Sequence, residues 1–363
     1  MLKTFRWSFL ITILGVVLGF LYGGPEALVL VLILCVLEIS LSFDNAVINA
    51  SVLERMSAPW QRAFLTIGVL IAVFGMRLVF PFVVVALTAN LSPVDAISLA
   101  MEKGDPEVAG SYGYILHAAH PAIAAFGGMF LLMIFLDFLF DERELLWLRW
   151  IEHPLQIVGR LSNVSVIVAV AVLLLAATLF AEDPVTVFSS GLIGLALFLL
   201  IQALGSLFES NAGIDAGTVT KVTGRAAFFL FLYLEVLDAS FSFDGVIGAF
   251  AITSDPIIIA IGLGVGAMYI RSLTVFFVRQ GTLAEYAYLE HGALWAVGAL
   301  ATILLVTIRY EIPEVVTGLI GVVFILAGWA TSLVRNQRAA RAAIAARDSD
   351  TSEIHLADLR DRT

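Results

Sequence analysis

Leu37–Val47 reads LEISLSFDNAV, and Leu237–Ile247 reads LDASFSFDGVI. At a constant offset of 200, Leu37, Ser40, Ser42, Phe43 and Asp44 recur as Leu237, Ser240, Ser242, Phe243 and Asp244. Glu38 recurs as Asp238, one methylene shorter. Each copy lies near the middle of a long apolar run. Carboxylates at mid-bilayer depth are expensive and mark ion or substrate pathways, so the two copies are the first candidates for a functional site.

Around these copies the chain is 60% hydrophobic and 14% charged, with a mean hydropathy of +0.99. A soluble domain averages about 25% charged residues. The composition sets soluble folds aside and predicts an all-α polytopic membrane protein. The net charge of −10 collects in the Glu182–Asp183 turn, the 102–107 loop and the tail after Asp348. Outside a short C-terminal run there is no basic stripe, which excludes a nucleic-acid partner. The single cysteine, Cys35, excludes an internal disulfide and a thiolate metal cluster. Lys3 and Arg6 ahead of an apolar run imitate a signal peptide, but Leu21, Tyr22 and Gly23 supply no small-x-small cleavage site. The N-terminal run is therefore read as the first span.

A bilayer needs about 20 apolar residues per helix. Ten spans are expected, at 8–22, 26–53, 61–89, 112–140, 162–181, 185–208, 226–253, 257–279, 287–308 and 313–335. Gly23–Gly24–Pro25, Asp183–Pro184, Asp255–Pro256 and Ile312–Pro313 mark turns between them. With this count, 16 of the 20 basic residues fall on the side of the two termini. Only Lys103 and Arg309 fall on the other side, and Arg77 and Arg271 lie within spans. That split places both termini in the cytoplasm, across a bacterial-type plasma membrane. The motifs sit on the second and seventh spans, an odd number apart, so they cross in opposite directions. Two inverted five-helix repeats are expected, 1–181 and 182–335, followed by a cytoplasmic tail at 336–363. Further matches agree: one arginine follows each motif (Arg77, Arg271), and the next span opens with histidine (His117 and His120, then His291). Inverted repeats around broken polar helices are the signature of secondary transporters.

Spacing carries more. Glu38 and Asp44 are separated by about 240° on an ideal helix, whereas Glu38, Ser42, Asn45 and Asn49 share a face. Convergence of Glu38 and Asp44 requires the helix to open between Ser40 and Phe43. In the second copy Glu235, Asp238, Ser242 and Gly245 share a face, and Gly245 eases a break. Glu235 aligns with Cys35, so the acids are unequal between the halves. Glu38, Asp44, Glu235, Asp238 and Asp244 sum to −5, and Arg77 and Arg271 to +2. An unpaired carboxylate at the helix centre costs about 2.5–3.5 kcal/mol on the insertion scale. The remainder of −3 therefore calls for protonation or a bound cation. Oxygen ligands without thiols select hard divalent ions such as Mg²⁺, Ca²⁺ or Mn²⁺. The candidate metal-ligating residues are Glu38, Ser42, Asp44, Asn45, Glu235, Asp238, Ser242 and Asp244.

Blander readings stand beside these. The acids could pair with Arg77 and Arg271 and only hold helices together, and the arginines read first as structural counter-ions. His117 and His120 serve equally as a proton relay, as ion-access ligands or as interfacial polar groups. Asp137 and Asp141, beside Arg143, read as an interface pair. Glu152–His153 has no evident partner. The FGGMF and IGLGVGAM stretches read as close helix contacts. The basic, alanine-rich segment from Arg335 reads as a surface helix ahead of a mobile end.

At its motifs, Glu38–Val47 and Asp238–Ile247, with Gly127–Asp141 in support, the chain resembles the TerC family of integral membrane proteins within the LysE-like transporter superfamily. It is most similar to a longer subgroup described only as a domain of unknown function. The resemblance covers most of 26–335. It implies metal-ion export, most often of Mn²⁺, with Glu38, Asp44, Asn45, Asp238 and Asp244 as ligands. Gly245 departs from the small polar residue common in the second motif, and removes a side-chain ligand there. The expected function is export of a divalent cation, with no enzymatic activity. The expected partners are the transported ion and the lipid bilayer, with a homodimer left open. Two alternatives remain: export of a cationic amino acid, and an intramembrane metalloenzyme using His117, His120 and Glu38, for which no HExxH spacing is present.

Overall fold

The computed structural model describes residues 2–68, 70–143, 145–211, 221–253, 255–280 and 285–360. Among them the regular structure is helical. The order is α1 (Leu2–Leu41), α2 (Phe43–Arg55), α3 (Ala58–Ala63), two π-helical stretches (Phe64–Gly68 and Ile71–Val79), α4 (Phe80–Thr88), α5 (Pro93–Met101), α6 (Tyr112–Phe140), α7 (Arg149–Gly159), α8 (Val164–Leu179), α9 (Pro184–Asn211), α10 (Gly224–Ile252), α11 (Pro256–Gln280), α12 (Leu289–Thr307) and α13 (Glu314–Arg360).

α1 is two arms. Gly23 (φ −138°, ψ 19°) and Gly24 (φ 70°, ψ −156°) leave the helical region. The positive φ of Gly24 suits glycine because it has no Cβ. The arms fold back on each other, bringing Gly19 beside Ala27 and Val31. Both pack on α11. The first runs antiparallel to it, through Ser8–Ser272 (2.7 Å), Thr12–Tyr269 (3.0 Å) and Tyr22–Asp255 (3.4 Å). The second runs parallel, with Leu34 against Gly262 and Glu38 against Gly266. The glycines of IGLGVGAM thus make close helix contacts, as read from the sequence. In FGGMF, Gly127 meets Ser240 and Gly128 meets Leu304 and Leu305.

α6 is the central strut. Ala124, Met129, Phe130, Leu131 and Met133 are buried in a core shared with α8, α9, α10 and α12. Across the bundle α6 packs on α10, α12 on α2, α8 on α9, α13 on α1, the second π stretch on α10 and α11 on α1.

The periphery is apolar. Trp7, Leu10, Ile13, Leu14, Val17 and Leu21 of the first arm are exposed, as are Ile167, Leu174 and Leu175 on α8. Contiguous exposed apolar faces on this scale belong against lipid. Seven helices among the described residues are long and apolar enough to cross a membrane, or eight if the bent pair α7–α8 is one span. This is a polytopic α-helical membrane protein. Helical segments lie at the positions of the ten expected spans, but the count by length and apolarity is lower for physical reasons. Phe5–Ile39 is one bent apolar stretch, and α8, 16 residues long, passes only together with α7.

Candidate functional site

α1 ends at Leu41, Ser42 (φ −103°, ψ 14°) leaves the helical geometry, and α2 resumes at Phe43. The break falls within the expected 40–43 window. It is one residue deep: Ser42 N–H still bonds Glu38 O (3.0 Å) and Ala46 N–H bonds Ser42 O (3.3 Å). The second motif does not open. α10 runs without interruption from Gly224 to Ile252, and the Ser240 hydroxyl bonds back to Val236 O (2.9 Å). Back-bonding of this kind can bend a helix, but here α10 carries it unbroken. The break expected in both copies is therefore present in the first alone.

The two motifs cross antiparallel. Glu38 and Leu41 lie against Gly245, where a methyl would stand 3.4 Å from Glu38 Oε2, and the Asn45 amide donates to Asp238 Oδ1. In each half the acid of position 38 or 238 thus faces position 45 or 245 of the other half. Glu38 (1% exposed), Ser42, Asn45, Asn49, Asp238 (7%) and Ser242 are all buried. The polar face read from the spacing is real and turned inward.

Glu38 Oε1 accepts from the Ser42 hydroxyl (2.8 Å) and from the Arg77 guanidinium, which also donates to Ala72 O (2.6 Å). Arg77 is buried on the second π stretch. Asp238, Asn49, Arg77, Arg271 and Thr274 line a cavity of about 30 Å³, room for about one water molecule. Asp238 Oδ2, Asn49 Oδ1 and Arg77 Nε have no hydrogen-bond partner among the described residues, and neither does Ser242 Oγ. Buried polar atoms are normally satisfied, so these mark a place built for something small and polar.

The other sequence candidates divide. Asp44 sits at the start of α2 and Asp244 in the middle of α10, but their side chains lie outside the described residues, and so does the expected convergence of Glu38 with Asp44. Glu235 lines a different, mainly apolar cavity of about 330 Å³, with His120, Phe80 and Leu197. Its Oε1 also lies where a side chain at Gly68 would collide with it. Asp137 accepts from Gln202 (2.9 Å) and Asp141 pairs with Arg143 (3.5 Å). Both acids line an open vestibule of about 680 Å³ with Arg55, Glu290 and Tyr233. No group of three or more His, Cys, Asp or Glu side chains among the described residues is arranged to hold a metal.

Two features were not legible in the sequence. Glu152, without a partner on sequence grounds, is buried and accepts from Trp147 N–H (2.8 Å) and from the Trp295 indole (3.0 Å). His291 does not mirror His117 and His120: its Nε2 meets Leu145 O at 3.0 Å and its ring lies edge-on to Phe138.

The fold and site define a polytopic helical membrane protein with paired acids buried where two antiparallel helices cross. The family model described as "Protein of unknown function (DUF475)" matches residues 43–339, and the chain belongs to that family. The match begins inside the first motif and contains the whole of the second. No curated protein and no solved structure matches the chain.

Proposed function

We propose that the chain is a secondary transporter that exports a hard divalent cation, Mn²⁺ foremost, in the manner its likeness to TerC proteins implies. The observation that carries this reading is the reciprocal crossing of the two motifs, Glu38 on Gly245 and Asp238 on Asn45. Such an exchange is what two-fold related units make at a shared axis. The matched helix contacts, α6–α10 with α12–α2 and α8–α9 with α13–α1, support inverted repeats of five helices. A site at the repeat interface is where alternating access places its substrate.

Glu38 and Asp238 would supply the charged oxygens, with Ser42, Asn45 and Ser242 assisting and Asp44 and Asp244 joining from α2 and α10. Glu235 opens onto the apolar cavity and is left outside this set. The space of about 30 Å³ beside Asp238 suits a bare ion better than an amino acid. Carboxylate and amide oxygens are ligands for hard cations.

The test is efflux of radiolabelled manganese from loaded cells, together with growth in high Mn²⁺, for the wild type and for Asp238→Asn, Asp44→Asn and Asp244→Asn. Loss of efflux at unchanged membrane abundance is expected for each. Unchanged efflux in all three variants refutes the assignment. Thermal stabilisation of the purified protein by Mn²⁺ and not by lysine separates ion export from amino-acid export.

A further inference from the structure

We infer that Arg77 is a tethered stand-in for the transported cation: it holds Glu38 when the site is empty, and the cargo must displace it. The inference rests on the cation-export reading and adds how the empty site is neutralised. The guanidinium donates to Glu38 Oε1, and the two side chains are 2% and 1% exposed. A divalent ion and a guanidinium repel each other and compete for that carboxylate in a buried site. Binding at Glu38 is therefore an exchange of one cation for another.

Two observations point to release of Arg77. Its Nε has no hydrogen-bond partner among the described residues, so the guanidinium is held at Glu38 and at the Ala72 carbonyl but not saturated. Moreover, Arg77 rides on a π-helical run, Ile71–Val79, that follows a second one at Phe64–Gly68. π turns are rare and mostly single, and they gather at functional sites. Each carries one residue more than an α turn, so rewinding one swings the residues beyond it by about 100° round the axis. Passing the extra residue from one side of Arg77 to the other confines that swing to the residues between, and takes Arg77 away from Glu38 while α4 keeps its packing.

The consequence for transport concerns the return step. An empty carrier with a naked Glu38 would have to bring a proton or another ion back through the membrane. With Arg77 in place, Glu38 itself needs no proton or second ion on the return step.

The full chain, purified in detergent, is titrated with Mn²⁺ by calorimetry for the wild type, Arg77→Gln and Arg77→Lys. If Arg77 occupies Glu38 in about nine molecules of ten, removing its charge tightens Mn²⁺ binding about tenfold, while the lysine variant stays close to wild type. Wild-type binding with Arg77→Gln no tighter overturns the inference and leaves metal export standing, because the pair is then a structural tie. No binding by the wild type or by folded Arg77→Gln overturns both. Should Arg77→Gln fail to fold, amide exchange of wild-type peptides covering 64–79 decides. A change on saturation with Mn²⁺ is expected, and its absence in Mn²⁺-bound protein overturns the inference.

Discussion

A single methyl group at Gly266 tests how closely α11 approaches the acid-bearing arm of α1. A Cβ there would lie 2.5 Å from Glu38 Cβ, 2.6 Å from Glu38 Cγ and 3.0 Å from Cys35 O. Non-bonded carbons settle at about 3.5–4.0 Å, so the two helices must part locally by about 1 Å. Overpacking of a filled contact costs about 1–3 kcal/mol. Alanine's better helix propensity returns about 1 kcal/mol, and the net loss is about 0–2 kcal/mol. Gly264→Ala is the control on the same helix. Among the described residues its Cβ meets the Val73 Cγ1 methyl alone, at 3.3 Å, so it keeps most of the propensity gain. The difference between the two variants isolates the contact, about 1–3 kcal/mol. Thermal unfolding in detergent should show Gly266→Ala melting clearly below Gly264→Ala. The displaced atoms belong to Glu38, so manganese efflux should fall further in Gly266→Ala than its stability does. Equal melting of the two variants would refute the close approach.

Glu152→Ala leaves the Trp147 amide and the Trp295 indole without their acceptor. Each stranded donor costs about 1–3 kcal/mol, so a lower melting temperature and altered tryptophan emission are expected; an unchanged melt would show that the contact contributes nothing. Lys103 bonds Asp255 (2.6 Å) and Tyr22 (2.9 Å), and these bonds, that to Asp255 first, hold its ammonium above the usual lysine range. A raised pKa means the contact is fully present at neutral pH. It is lost as pH climbs past the ordinary lysine value of about 10.4 and through the raised one. The melting difference between wild type and Lys103→Met should shrink at strongly alkaline pH, and a difference constant with pH would show that the lysine charge is not responsible.

What was legible in the sequence was what periodicity and composition determine. Helix positions followed from apolar runs and from Gly and Pro turns. The buried face of Glu38, Ser42, Asn45 and Asn49 followed from steps of three and four. The kink at Ser42 was expected from the 240° between Glu38 and Asp44, although their convergence lies outside the described residues. Partner choice was not legible, because it depends on distance in space. Nothing local to Glu152 points to Trp295, 143 residues away. Arg77 could be read as a counter-ion but not assigned to Glu38 over four other acids. Nor does sequence announce a π turn, since its residues are those of any apolar helix. The continuous second motif shows the limit of repeat logic: matched residues do not impose the same backbone, since Ser42 stands at a break and Ser242 within an unbroken helix.

The two departures from an exact repeat at the crossing compensate each other. The longer acid, Glu38, faces glycine at 245, and the shorter acid, Asp238, faces asparagine at 45. Each pair thus fills a similar space with a different division of atoms. Gly245→Asn should then overfill one side, because Glu38 Oε2 already stands 3.4 Å from where its Cβ would be. Shortening the opposing acid with Glu38→Asp should relieve it. Touching residues in one network couple by about 0.5–3 kcal/mol, so the double variant should be more stable than the sum of the singles predicts. The shorter acid also draws back from Arg77, so Glu38→Asp alone should be destabilising, and the rescue is not a general benefit of Asp at 38. Strict additivity of the two changes would mean that the motifs do not touch at this point, and the proposed cation site between them would lose its geometric basis.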